Sequence, residues 1–173
     1  MRRALYYFFK IITNLSLVFR SRKLSMFFMY FAHKVNGVKF KKNIKYIHPS
    51  AVIDPSAEVF IGDNVVVSTG VLILSHDYSI TVGYNAINKP PKKDIAIISA
   101  VKIGDNCFIG ANTIILPGSV IGDNVIIGAG SVVKGKIDSN SVIAGNLAKK
   151  IMDVREWMLK KDEMHEDYLT SKY

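Results

Sequence analysis

The sequence predicts an all-β solenoid of stacked triangular coils, with a helical arm before it and a capping helix after it. Three observations carry that expectation. Aliphatic residues recur every six positions through the middle of the chain, glycines and Asp-Asn pairs recur in step with them, and both ends shift to helical spacing.

At 173 residues the chain has the length of one domain, and 49% hydrophobic with 21% charged residues suits a folded protein. A single cysteine, Cys107, excludes an internal disulfide framework, and four histidines without clustered spacing suggest no metal site. The formal charge of +9 is unevenly placed: residues 1–53 hold 11 Lys/Arg and no Asp/Glu, whereas the remainder is close to neutral. Basicity confined to one greasy arm does not suit a nucleic-acid binder, so no nucleic-acid partner is expected.

The arm, residues 1–43, carries apolar runs at Leu5 to Phe9, Ile11, Ile12, Leu15, Leu17 to Phe19, Leu24 and Met26 to Phe31. Lys10 interrupts the first, and Arg20, Arg22 and Lys23 end it. Neither run reaches the roughly 18–20 residues that span a bilayer. No small-residue cleavage site follows, so it does not read as a signal peptide. Two short helices parted near Ser21–Lys23 are expected. Two placements remain open: packing on the body or in subunit contacts, or peripheral contact of residues 1–35 with anionic lipid at the inner face of a cytoplasmic membrane. In the second, Tyr and Phe sink among headgroups and each suitably placed cation adds about 1 kcal/mol.

The solenoid is expected over residues 44–149. Ile47, Ile53, Ile61, Val67 and Ile73 set the repeat, which returns at Ile97, Ile103, Ile109, Ile115, Ile121, Ile127, Val133, Ile137 and Ile143. A six-residue period fits neither a helix nor a long strand of alternating faces. A chain that turns a corner every six residues satisfies it, with three segments per coil and successive coils hydrogen-bonded in parallel. Small or modest residues two positions earlier, such as Cys107, Thr113, Ser119 and Ser131, leave the aliphatic room inside the prism. Glycines at 62, 104, 110, 122 and 128 suit the corners, and Asp-Asn pairs at 63–64, 105–106 and 123–124 suit exposed turns.

Between Ile73 and Ile97 the repeat fails. The polar, two-proline segment 77–96 reads as an excursion loop held on a rigid scaffold, a common location for function. His76 stands where the chain departs. A neutral imidazole can take a proton from an attacking hydroxyl, and a carboxylate can fix its tautomer. Asp77 is the adjacent candidate, although neighbours on a strand face opposite sides. His33 and His165 read as surface residues, and His48 as a corner residue beside Pro49. Residues 150–173 return to helical spacing through Ile151, Val154, Trp157 or Met158, and Met164. This segment is expected to cap the open end, with Trp157 packing rather than stacking on a ligand.

The run Ile103-Gly104-Asp105-Asn106-Cys107-Phe108-Ile109-Gly110-Ala111, continuing through Ile115-Leu116-Pro117-Gly118, Ile121 to Val133 and Asn140 to Asn146, resembles the hexapeptide-repeat acyltransferases. The resemblance covers about residues 44–151 and is nearest to the maltose, galactoside and polysaccharide O-acetyltransferase branch. It implies a left-handed parallel β-helix, a homotrimer with sites between neighbouring prisms, and acetyl-CoA as acyl donor. It implies His76 as the base, with Asp77 kept as a secondary catalytic candidate. The oxyanion donor would be a backbone N–H of Gly110 or Ala111. Contacts to the donor map to Ala111, Ala129 and Asn146, and cations for its nucleotide end to Lys134 with Lys149 or Lys150. Leu147 stands where relatives often carry proline, an upstream asparagine of maltose-type members has no counterpart, and the basic aromatic arm is unlike their usual opening. The acceptor implied is a sugar or cell-surface glycan precursor. N-acetyl transfer to an amino sugar and a non-catalytic scaffold for a membrane-associated complex are the alternatives.

Overall fold

The computed structural model describes residues 1–18 and 21–162, so the expectations at Phe19, Arg20, Met164 and His165 lie outside the described residues. From Lys39 onward the chain winds a three-faced prism. One face stacks Lys39–Phe40, Val59–Ile61, Val101–Ile103, Val120–Ile121 and Lys136–Ile137, all parallel. The second stacks Tyr46–Ile47, Val66–Val67, Phe108–Ile109, Ile126–Ile127 and Ser141–Gly145. The third stacks Val52–Ile53, Leu72–Ile73, Ile114–Ile115 and Val132–Val133.

The sixfold repeat becomes vertical columns of like residues. On the second face Val67 pairs in register with Ile109, then Ile127 and Ile143 follow; on the third, Ile73 pairs with Ile115, then Val133. All are buried. Cys107, Thr113, Ser119 and Ser131 are buried beside them, where their small volumes let the coils close. Each fully buried aliphatic contributes roughly 1.5–3 kcal/mol before conformational entropy is counted.

Two kinds of corner residue do different work. A Cβ on Gly104 would lie 2.7 Å from the Gly122 carbonyl oxygen, so this glycine is required by the approach of the next coil rather than by its own dihedrals. At the neighbouring turn the left-handed positions belong to asparagines: Asn64, Asn106, Asn124 and Asn140 all have φ between 53° and 59°. Their amides form a ladder, Asn64 Nδ2 donating to Asn106 Oδ1 at 2.7 Å, and Asn106 and Asn124 repeating the bond upward at 2.8 and 2.9 Å.

The arm forms α1 (Arg2–Val18) and α2 (Arg22–Val35). Ring contacts of Tyr6 with His33 and of Phe9 with Phe28 and Phe31 show that the two run antiparallel. Met29 of α2 joins the prism core with Val38 and Ile47, so the arm closes the lower end of the prism. His33 is buried completely, not on the surface: α1 covers it, and neither ring nitrogen has a hydrogen-bond partner. Burial, followed by the nearby Lys10 charge, lowers its pKa to about 3.

Four further differences from the sequence expectation have local causes. The prism begins at Lys39 rather than 44, because Lys39–Phe40 already pairs with Phe60–Ile61. Ile97 is exposed and lies outside the core; Ile97–Ile98 pair antiparallel with His76–Asp77, and the repeat resumes at Val101. The excursion between those strands holds α3 (Ser79–Ala86), whose residues are not buried. At the upper end, Ala148–Asp153 runs back antiparallel along Ser141–Gly145 and covers that edge. Hence Ile151 is strand, and α4 starts only at Val154 and ends at Asp162 among the described residues, burying nothing. Trp157 is half-buried with Lys161 Nζ 5.8 Å from its ring centre.

Candidate active site

His76 sits at the corner that follows the third face, on the first residue of the excursion hairpin. Its Nδ1 lies 2.6 Å from Asp54 Oδ2 and 3.1 Å from Ser56 Oγ. Asp54 directly follows Ile53, one coil below, and the pairing of Ile53 with Ile73 brings it beneath the 74–76 segment. Asp54 Oδ1 accepts from the Ser56 N–H and hydroxyl at 3.0 and 2.8 Å, and Oδ2 from the Ser75 N–H and hydroxyl at 2.9 and 2.7 Å. Burial alone would raise the Asp54 pKa. The hydrogen bonds from Ser75, His76 and Ser56 outweigh it and hold the carboxyl well below the usual range. An ionised carboxylate only accepts, so Nδ1 carries the proton and Nε2 presents its lone pair outward. The imidazole lies edge-on to the Tyr78 ring at 5.4 Å between centroids.

Asp77 does not perform the orienting role. Its carboxylate is exposed and accepts from the Ser79 N–H at 2.8 Å, which is the main reason its pKa is lowered. The groups that sequence reasoning missed are Asp54, Ser56 and Ser75. Asp54 occupies the position after a core aliphatic where the later coils carry Leu74, Leu116 and Lys134, a column that becomes apparent only once Ile53 is paired with Ile73.

A cavity of about 550 Å³ opens beside this histidine. Val52, Ile53, Asp54, Pro55, Leu74 and His76 line it from the prism, and Arg3, Tyr6, Tyr7 and Lys10 from α1. The arm therefore forms a wall of the cavity, a role its composition did not reveal.

Of the residues expected at the acyl donor, three gather elsewhere, whereas Lys134 stands in the same column as Asp54, on the His76 side of the third face. Gly110, Ala111 and Ala129 stack at the corner between the second and third faces: a Cβ on Gly110 would meet the Ala129 nitrogen at 2.6 Å, and the Gly130 N–H donates to the Ala111 carbonyl at 2.7 Å. The Gly110 N–H is spent on the Ile127 carbonyl at 2.9 Å, so it is no oxyanion donor; the Ala111 N–H makes no bond among the described residues. Asn146 bridges to Val132, next to the exposed Lys134, whose charge reaches Asp77. Lys149 and Lys150, both exposed, are successive strand residues and point to opposite sides, so one phosphate cannot engage both. The Asn146–Leu147 peptide is cis. None of these donor-side residues lines the His76 cavity. Among the described residues no cluster of three or more His, Cys, Asp or Glu could hold a metal ion, and no helix is long and apolar enough to cross a membrane.

Residues 100–135 match the family described as bacterial transferase hexapeptide (six repeats). WbbJ of Escherichia coli (strain K12), provisionally named a lipopolysaccharide biosynthesis O-acetyl transferase, is 35% identical over 118 residues, which are 65% of this chain and 58% of that protein. Protein CapG of Staphylococcus aureus is 41% identical over 100 residues, 58% of this chain and 55% of its own length. The chain spans between 55% and 65% of the length of the curated relatives it matches. In fold it is similar to a galactoside acetyltransferase solved with coenzyme A, at TM-score 0.66 and 22% identity over 98% of this chain and 84% of that one. It is also similar to a hexapeptide-repeat acetyltransferase of Vibrio cholerae solved with acetyl coenzyme A, at TM-score 0.64 and 18% identity over 88% and 86%.

Proposed function

Starting from a chain with the left-handed hexapeptide-repeat acetyltransferase fold, we propose that it is an acetyl-CoA-dependent O-acetyltransferase of a sugar or glycan precursor, with His76 as general base. The observation that carries this is the Asp54–His76 pair, set in a cavity at the edge of a rigid coil. His76 Nε2 takes the proton of an acceptor hydroxyl while that oxygen attacks the thioester carbonyl carbon. The oxyanion accepts from the Ala111 N–H, which is free for the purpose among the described residues. Collapse breaks the C–S bond, and Nε2 returns its proton to the departing thiolate, giving the acetyl ester and free CoA. Asp54 holds the imidazolium between these transfers. Lys134 and one of Lys149 or Lys150 supply point charges for the donor's phosphates.

His76 and Ala111 lie on opposite sides of the third face, so one prism alone does not assemble both halves of the site. That separation supports a homotrimer in which the donor corner of one chain meets the histidine of the next. Exposed Val82, Ile87, Ile97 and Ile98 on the excursion supply apolar surface for such a contact. The outer face of the arm, with Leu5, Phe8, Ile11, Leu15 and Phe27 exposed among cations, supports peripheral contact with anionic membrane.

His76→Ala tests the reading. The variant is expected to keep its secondary structure and thermal transition and to lose at least about 100-fold in acceptor-dependent thiol release from acetyl-CoA, a loss typical of general-base removal. Unchanged release would eliminate His76 as the base. Amino-sugar acceptors run in parallel separate N- from O-acetylation.

A further inference from the structure

We propose that the cavity between α1 and His76 is an anion-binding acceptor subsite, so that the sugar acetylated there carries a phosphate or carboxylate held by Arg3 and Lys10. The proposal rests on the O-acetyltransferase reading and adds the class of acceptor. Arg3, Tyr6, Tyr7 and Lys10 are spaced i, i+3, i+4 and i+7 on α1, which places them along one helix stripe. All four line the same cavity as His76. Two cations thus flank two phenol rings against the catalytic corner. Aromatic faces suit the apolar side of a sugar ring, and a guanidinium beside an ammonium suits an oxyanion.

Neither cation has a carboxylate partner: no described Asp or Glu forms an ion pair with Arg3 or Lys10. Asp54 is the cavity's own carboxylate, and it is already held by Ser56, Ser75 and His76. Lys10 is half-buried, with Nζ 5.6 Å from the Tyr6 ring centre, and burial lowers its pKa. A neutral acceptor would leave both charges uncompensated as it displaced their water. An anionic one would neutralise them.

Isothermal titration of the full chain, without acetyl-CoA and at low salt, with glucose 1-phosphate, glucuronate and glucose tests this. At least one charged sugar is expected to bind at least about tenfold more tightly than glucose, and the preferred one distinguishes phosphate from carboxylate. Raising salt is expected to narrow the gap. Arg3→Gln and Lys10→Gln should each weaken the charged sugar about tenfold, the size of one lost charge-assisted bond, and leave glucose unchanged. Equal affinity of wild-type protein for all three sugars overturns the proposal, and so does a double variant that binds the charged sugar as wild type does. The wild-type comparison needs no substituted protein to fold. Because binding is read without transfer, failure of the acetyltransferase reading would show separately, as absent thiol release with charged and neutral acceptors alike.

Discussion

Replacing Asp54 by asparagine removes one negative charge and exchanges a single oxygen for an amide nitrogen, yet the geometry predicts a large loss. The carboxylate accepts from five donor groups, with a backbone N–H on each oxygen: Ser56 on Oδ1 and Ser75 on Oδ2. An amide can offer an acceptor on one side only. Whichever way the substituted amide turns, its NH₂ faces a main-chain N–H and strands it, at a cost of about 1–3 kcal/mol in stability. The kinetic effect is larger. Without the charge, the imidazolium formed on proton uptake loses its counter-ion, and Nδ1 is no longer compelled to keep its proton. A fall of about 100- to 1,000-fold in kcat, equal to about 3–4 kcal/mol, is expected. Thiol release under saturating acetyl-CoA reads the rate, and urea denaturation followed by circular dichroism reads the stability. Asp77→Asn is the control. Its carboxylate caps Ser79 rather than His76, so more than half the activity should remain. If Asp54→Asn worked within threefold of wild type, or Asp77→Asn were the more damaging, the assignment of the orienting carboxylate would fall.

Two other outcomes follow from the arm. His33 has a folded-state pKa of about 3 against an ordinary value of 6.5, so acid protonates the unfolded chain first. Stability should therefore be fully present above pH 6.5 and fall by about 1.4 kcal/mol per unit between there and pH 3. His33→Phe is expected to remove that component, and parallel pH slopes in urea melts of the two proteins would refute it. Phe8→Glu with Ile11→Glu, both exposed on the outer side of α1, should abolish sedimentation with vesicles containing phosphatidylserine while sparing acetyl transfer to a soluble sugar. Equal sedimentation of wild type and variant would end the membrane reading. Deleting residues 1–35 is the poorer test, since Met29 belongs to the prism core.

The columns of the prism were readable because burial repeats with the sequence: Ile103 through Val133 fall where a six-residue corner puts them. Ile97 fitted the same count and failed, because period alone does not tell a core strand from a hairpin strand outside the prism. Asp54 escaped notice because it and His76 meet across coils. Ile53 and Ile73 are 20 positions apart, whereas Ile109 and Ile127 are 18 apart, and this coil length is not visible before the register is known. The arm's cavity wall was invisible for a related reason. A helix stripe at 3, 6, 7 and 10 can be read from sequence, but its placement against His76 depends on packing between distant segments.

Register passes through the excursion undisturbed: Ile61 meets Ile103 as squarely as Ile103 meets Ile121, though the first pair is 42 positions apart and the second 18. By loop-closure entropy the longer route costs only about 0.8 kcal/mol more. Folding therefore places almost no ceiling on how long this side arm becomes. Insertions and deletions there can reshape the surroundings of His76, whose ring already meets Tyr78, while the columns beneath keep their stability.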